Sequence, residues 1–357
     1  MSDIDELYYD AVDLLRTLIA TPSISRDETS AADVVEHFMK EHGMLPRRSG
    51  NNVWAIAPDF DPKRPTLLLN SHIDTVKPVA GWTHDPFTPD YDPATDRLYG
   101  LGSNDAGASG VSLMAAFRYL SERKQPYNLI LLLSAEEEVS GKGGIESVLP
   151  MLPPIDVAIV GEPTGMQPAI AEKGLMVLDG EVTGKSGHAA RNEGINAIYR
   201  AIPVVERLRT LQLPRTSAML GPVRISVTQI EAGTQHNVVP DLCRIVVDVR
   251  TTDAYSNVDT LALIREAVPE CKLTPRSTRL NPSSIPSGHP IVRRLEMLGA
   301  TPFGSPTLSD QALLSCPSLK LGPGDSARSH TADEYILTEE IRNAIATYIR
   351  LLNSLPL

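Results

Sequence analysis

Cysteine is scarce: Cys243, Cys271 and Cys316 are the only three in 357 residues, widely spaced and without a CxxC pair. That excludes a disulfide-stapled scaffold and a cysteine-ligated zinc site. Long apolar runs are missing as well. No segment reaches the roughly 18 to 20 apolar residues needed to span a bilayer, and the stretch MSDIDELYYDAVDLLRTLIATPS lacks the basic start and apolar core of a secretion signal. These absences predict a cytoplasmic protein with no membrane partner. Positive charge is in deficit, with 33 Lys and Arg against 44 Asp and Glu and a net charge of -11. A nucleic-acid partner is excluded, because it would require concentrated Lys and Arg, and a metal cation is favoured. What remains is 42% hydrophobic and 22% charged, a globular composition with enough length for two or three domain-sized units.

Apolar spacing predicts helices over 3–20 and 29–42, the second turning Val34, Phe38 and Met39 toward a core. Strands are expected over 52–57 and 66–70, followed by a Pro-, Gly- and Asp-rich loop over 75–105 that is too long for a mere connector. A helix over 108–124 and apolar strands over 128–134 and 156–160 continue an α/β alternation. Between 176 and 279 the order becomes strand, helix, strand, strand, helix, strand. This βαββαβ series is that of a ferredoxin-like α+β module. The expected fold class is therefore α/β. Residues 1–174 and 281–357 form one domain with a mixed, mostly parallel sheet flanked by helices, and 175–280 form a module inserted into it.

Residues able to do chemistry recur at the ends of the expected strands or just beyond them. His72 and Asp74 close TLLLNSHIDTV, two positions apart and so on one face of a strand. Asp105 lies in YGLGSNDAGAS, Glu136, Glu137 and Glu138 in LLLSAEEEVSGKGG, and Glu162 in AIVGEPTG. Ligands of open α/β sheets bind beyond the carboxyl ends of the strands, so these loops should converge. Taken singly, each has an ordinary use as a hydrogen-bonded loop histidine, a solvated acidic run or a turn cap. Packed together, carboxylates repel and resist ionisation unless divalent cations neutralise them. His330, in GPGDSARSHTADEYI before Asp333 and Glu334, adds a second imidazole. Histidine with carboxylates and no thiol suits zinc or another first-row divalent ion that keeps a position open for water.

In SHIDTV, YGLGSNDAGAS, SAEEEVSG, VGEPTG, TGKSGHAA, GTQHNVVPD and SHTADEYI, in that order over nearly the whole chain, the sequence resembles the M20 family of dinuclear zinc amidohydrolases and peptidases, close to its acetylornithine deacetylase group. The resemblance implies two divalent ions, zinc with cobalt or manganese as alternatives. His72 and Glu162 would hold one, Glu138 and His330 the other, with Asp105 bridging them and Asp74 orienting His72. Glu137 would be the general base of a metal-assisted amide hydrolysis. Three consecutive glutamates also allow a slipped register, with Glu136 as base and Glu137 as ligand. The overlay of Ala135-Glu136-Glu137-Glu138-Val139 on the family's Ala-Asp-Glu-Glu-Val favours the later pair. Where the family has Asp-Met-Lys-Gly this chain reads Asp105-Ala106-Gly107-Ala108, which loses a lysine beside the metal and keeps the bridging carboxylate.

The resemblance further implies that the inserted module is a lid and dimerisation domain. Its His188 would reach the partner subunit's active site of a homodimer as an oxyanion donor. Arg250 would clamp a substrate carboxylate, with Asn237 and Lys173 as further contacts. A strand-end arginine is also a common rim salt bridge, and an asparagine after a turn a common backbone stabiliser. His84, His236 and His289 lie in loops and are not assigned to metal. The implied substrate is a small N-acyl amino acid, foremost N-acetylornithine, with N-acetylcitrulline or N-succinylornithine as analogues, in arginine biosynthesis. The rivals are a dipeptidase or aminopeptidase with the same metal site, and a non-catalytic metal-binding protein. The intact base and ligand set argue against the last. A nucleotide site at Gly100-Leu101-Gly102 is excluded, since GxGxxG is incomplete and leads to Asp105.

One variant separates the two glutamate registers. Glu137→Gln retains metal and loses turnover if Glu137 is the base. Loss of metal with residual turnover, from metal analysis and amide cleavage on the same sample, would identify the slipped register.

Overall fold

The computed structural model describes residues 3–357 with the exception of Asn192. The chain divides into two compact units. The first runs up to Ile170 and takes in Ile285–Phe303 and Ser309–Leu357, while Ala171–Ser284 and Gly304–Leu308 form the second.

In the first unit, the strands Thr66–His72 and Asn128–Ser134 are buried at every position because both faces of their sheet are covered. Leu67, Leu69, Leu129, Leu131 and Leu133 enter one core; Leu68, Ile130 and Leu132 enter another. The continuous apolar run is thus a strand's period-two alternation with apolar neighbours on both sides. In space the sheet runs Arg47–Ser49, Asn52–Ile56, Asn128–Ser134, Thr66–His72, Val157–Val160, Ser318–Lys320, Ala169–Glu172. The four strands from Asn128–Ser134 to Ser318–Lys320 are parallel, and those flanking them are antiparallel. The helices Asp3–Ile19, Ala108–Ser121 and Thr338–Leu352 pack together on one face, and Ile145 and Val148 of the short helix Ile145–Val148 pack with Trp54, Leu68, Ile130 and Leu132 on the other.

Three local expectations need correction. The helix Thr29–Glu41 buries Ala31, Ala32, Val35 and Met39, leaving Val34 and Phe38 only partly covered. Its apolar stripe therefore runs through Val35 rather than Val34, as 3.6-residue spacing from Ala32 to Met39 requires. The strand stops at His72, so Asp74 lies past its end and meets His72 through a turn instead of sharing a strand face. Within 75–105, Asp90–Asp92 and Arg97–Tyr99 form an antiparallel hairpin, extended by Tyr335–Leu337. Strands of three residues are too short to show periodicity. Through this small sheet, the segment that follows His330 is anchored beside the one that leads to Asp105.

The second unit has the βαββαβ order, with strands Gly174–Thr183, Arg224–Ala232, Leu242–Thr251 and Lys272–Pro275 and helices Ala197–Thr210 and Asn257–Ala267. Its antiparallel sheet runs Arg224–Ala232, Leu242–Thr251, Gly174–Thr183, Lys272–Pro275 in space, a ferredoxin-like arrangement. Met176, Leu178, Val182, Ile245, Val247 and Val249 pack on Ala201, Val204, Leu208 and Ile264 of the helices. Asn196 caps the first helix, its Oδ1 accepting from the Ile198 amide at 2.8 Å, and Ser256 caps the second, its hydroxyl oxygen accepting from the Asp259 amide at 3.0 Å. The three cysteines are free thiols. Among the described residues, no helix is long and apolar enough to cross a membrane.

Candidate metal and active site

Three parallel strands deliver the site to one edge of the sheet. His72 ends its strand in register with Ser134, which leads through Ala135 to the glutamates, and Val160, paired with Asn70, leads through Gly161 to Glu162. His72 is buried. Its Nδ1 lies 2.8 Å from the carbonyl oxygen of Asp74 and 3.6 Å from Asp74 Oδ1. An Nδ1–H donated to that carbonyl leaves the Nε2 lone pair for a ligand. Nε2 faces the acids, at 3.3 Å from Asp105 Oδ1, 3.9 Å from Glu162 Oε1 and 4.0 Å from Glu137 Oε2.

The buried carboxylate of Asp74 shapes the glutamate turn. It accepts from the amides of Glu137 at 3.0 Å and Glu138 at 3.1 Å and from the Ser25 hydroxyl at 2.7 Å. Glu136, in the left-handed region at φ 54, turns its carboxylate the other way, where Oε2 accepts from the Gly143 amide at 3.3 Å. A Cβ at Gly141 or Gly143 would fall 1.9 or 2.3 Å from that carboxylate. The glycines of SGKGG therefore make the space it occupies.

Asp105 offers its second oxygen elsewhere. Oδ2 lies 3.6 Å from His330 Nε2, which is 3.0 Å from Glu138 Oε2. Two donor groups have ligand atoms within 4.8 Å of one another: His72 with Glu137 and Glu162, and His72 with Asp105 and Glu138. The structure thus brings together His72, Asp105, Glu137, Glu138, Glu162 and His330, with Asp74 directly behind them. Two imidazoles and several carboxylates without a thiol fit first-row divalent ions.

The other expected residues belong to the second unit. His188 and Asn237 adjoin in a two-stranded ladder of Gly187–His188 with Val238–Val239, both side chains exposed. The Ala190 amide donates to His188 Nδ1 at 3.2 Å, and the Asn237 carbonyl accepts from the Ala189 amide at 3.1 Å. Arg250 forms a two-point ion pair with Asp248 at 2.9 and 3.2 Å. Partial burial, and then Arg224 and Arg250, push the Lys173 amine down, so these three cations are neighbours.

Sequence reasoning missed Arg224, which pairs in register with Arg250 and shows no periodicity or motif. It missed buried Asp310, whose Oδ2 accepts from the Ser134 hydroxyl at 2.6 Å. It also gave no role to Glu334, whose Oε1 accepts from the amides of Asn104 and Asp105, both at 2.9 Å. Glu334 lies four residues after His330, and that spacing was the available signal.

The family model described as Peptidase family M20/M25/M40 matches residues 68–354. The chain belongs to the M20 family. An acetylornithine deacetylase of Pectobacterium carotovorum subsp. carotovorum (strain PC1) is 30% identical over 93% of this chain and 94% of its own. One from Klebsiella pneumoniae (strain 342) is 31% identical over the same shares. Among solved structures, aminopeptidase PepT of Bacillus cereus ATCC 10987 matches with a TM-score of 0.77 at 18% identity, covering 97% of this chain and 98% of that one. A dinuclear metal-binding M20 peptidase of Bacillus subtilis matches with a TM-score of 0.72 at 17% identity, covering 98% of each. As an M20 protein the chain is a metal-dependent amide hydrolase.

Burial and neighbouring charge raise several groups in and around the site. Burial, reinforced by Glu162, Asp310 and Glu138 and opposed by His72, holds the Glu137 carboxyl well above the usual range. Burial raises Asp310 to about 6 and, with repulsion from Asp105, Glu334 to about 8. The hydrogen bond to Glu138 lifts His330 to about 9. Burial opposes charge on His72, but Asp105, Glu137, Asp74 and Glu162 outweigh it and raise this group as well. For Asp105, burial works upward and is overcome by His72, leaving a lowered carboxyl.

Each raised group keeps its proton to higher pH in the folded chain than in the unfolded one. The unfolded state then binds fewer protons, and these groups cost stability as pH rises from about 4 to about 9. At the raised groups that are expected ligands, His72 and His330, a divalent ion displaces the proton on binding. Thermal midpoints of stripped and zinc-loaded protein should therefore diverge steadily between pH 5 and pH 9, and parallel curves would refute the exchange.

Proposed function

We propose that this enzyme deacylates a small N-acyl amino acid, foremost N-acetylornithine, with N-acetylcitrulline and N-succinylornithine as close analogues, in arginine biosynthesis in the cytoplasm. The observation that carries the reading is Asp105 presenting one carboxylate oxygen toward each of two histidines, His72 and His330. Deacetylase names among relatives about 30% identical over most of the chain favour the N-acyl substrate. The solved aminopeptidase of the same fold favours a second reading, a dipeptidase or aminopeptidase.

In the first reading His72 and Glu162 would hold one ion and Glu138 and His330 the other, with Asp105 shared between them. Bound zinc, cobalt or manganese supplies an acidified water and polarises the scissile carbonyl. Glu137 takes the proton of the attacking water and returns one to the leaving amine. The register with Glu137 as base and Glu138 as ligand is supported by the direction of Glu136, whose carboxylate is engaged at Gly143. Asp74 holds the amides of both following glutamates and so sets their aim. Arg250, beside Lys173 and Arg224, receives the substrate carboxylate, and Asn237 adds an amide contact. His188 serves the oxyanion of a partner subunit. A homodimer through the second unit is supported by the strand Arg224–Ala232, which among the described residues is paired along one side only.

Release of free amine from a panel of N-acetyl and N-succinyl amino acids and dipeptides tests the substrate. Metal-stripped protein is expected to cleave an N-acyl amino acid only once zinc is added, whereas preference for dipeptides moves the enzyme to the peptidase reading. The shared site is checked by mixing inactive His188→Ala subunits with inactive Glu137→Gln subunits. Activity should reappear in the mixture at up to about a quarter of the wild-type rate per site, the statistical yield of one intact composite site per mixed dimer. A mixture that stays silent rejects the exchange of His188 between subunits.

A further inference from the structure

We propose that Glu334 is a positioning residue for Asp105, fixing the turn that aims one carboxylate oxygen at His72 and the other at His330. The proposal rests on the reading of Asp105 as the bridge between two ions. Glu334 is 2% exposed, and its Oε1 takes both the Asn104 and Asp105 amides at 2.9 Å. Its main-chain carbonyl accepts from the Gly100 amide at 3.0 Å. One residue therefore grips the chain both before and at Asp105.

The turn needs that grip. Asp105 sits at φ -117, ψ 98, outside helical geometry, just ahead of the helix Ala108–Ser121. Amides in such a position have no partner in the helix that follows. A buried amide left unbonded is costly, and here a single carboxyl oxygen accepts from two of them.

The same residue couples the turn to His330. Asn104 donates from Nδ2 to the Asp325 carbonyl at 3.0 Å and the Ser329 hydroxyl at 3.2 Å, and its Oδ1 accepts from the Asp325 amide at 3.0 Å. On the other side of His330, Asp333 accepts from the Thr83 amide and hydroxyl, both at 2.7 Å, and from the His84 amide at 3.0 Å. His330 is thus carried on a segment pinned before and after it, and Glu334 joins that segment to the bridging acid. Since the Oε1 contacts are acceptances from backbone amides, a glutamine oxygen can replace them and an alanine cannot.

The test titrates metal-stripped wild type, E334A and E334Q with Co²⁺, followed by visible absorption, with near-UV circular dichroism reporting the fold. Wild type takes up two ions. E334A should bind the second about 10- to 100-fold more weakly and lose kcat with little change in KM, and E334Q should recover most of both. Two ions bound at wild-type strength by E334A overturn the proposal. So does an E334Q no better than E334A, which would make charge, and not hydrogen-bond acceptance, the property that counts. Wild-type protein that takes up fewer than two ions overturns the bridging reading itself and the proposal with it.

Discussion

Repulsion among carboxylates at one end of a parallel sheet is the constraint on which this structure turns. Around His72, Glu137 and Glu162 come within 4.8 Å of one another, as do Asp105 and Glu138, in surroundings where like charges interact strongly. The fold does not relieve the repulsion by spreading the acids apart. It fixes the glutamate turn and the Asp105 turn by their backbones. The fixing groups are themselves carboxylates: Asp74 for the glutamate turn, Glu334 for the Asp105 turn, and Glu28 for the Glu136 amide at 3.3 Å. Acids of one kind present charge to a cation, and acids of the other kind receive N–H groups.

The sheet explains why the acids meet at all. Parallel strands point their carboxyl ends the same way, so successive crossovers return each new loop to one edge. The apolar residues of Thr66–His72 and Asn128–Ser134 fill cores on both faces. That packing fixes register, and register sets His72 beside Ser134. A slip of one residue would exchange the two cores and move the histidine off its level.

Much of this was legible in the sequence, for definable reasons. Leu67 to Leu69 and Leu129 to Leu133 advertise buried strands, and the acids after them advertise a ligand site through the rule for open sheets. The ferredoxin-like module was readable from the alternation along Gly174–Thr183 and Leu242–Thr251. Three features were not. The hairpin within 75–105 has strands of three residues, below the length at which a period can be seen. The Asp74 turn was mistaken for strand because two-residue spacing looks the same in either case. Asp310 and Glu334 escaped because their work is to accept hydrogen bonds from residues far away in the chain, and a sequence does not display such partners.

The small sheet that joins Arg97–Tyr99 to Tyr335–Leu337 has a consequence for biosynthesis. His72, Asp105, Glu138 and Glu162 all leave the ribosome before the second unit begins, whereas His330 and Glu334 emerge roughly 170 residues later. At about 5–20 residues per second, the nascent acidic half-site stands incomplete for on the order of ten to thirty seconds while the entire inserted unit is made. The strand that closes the small sheet is translated only after the inserted unit, so the centre cannot be completed until that unit has been made.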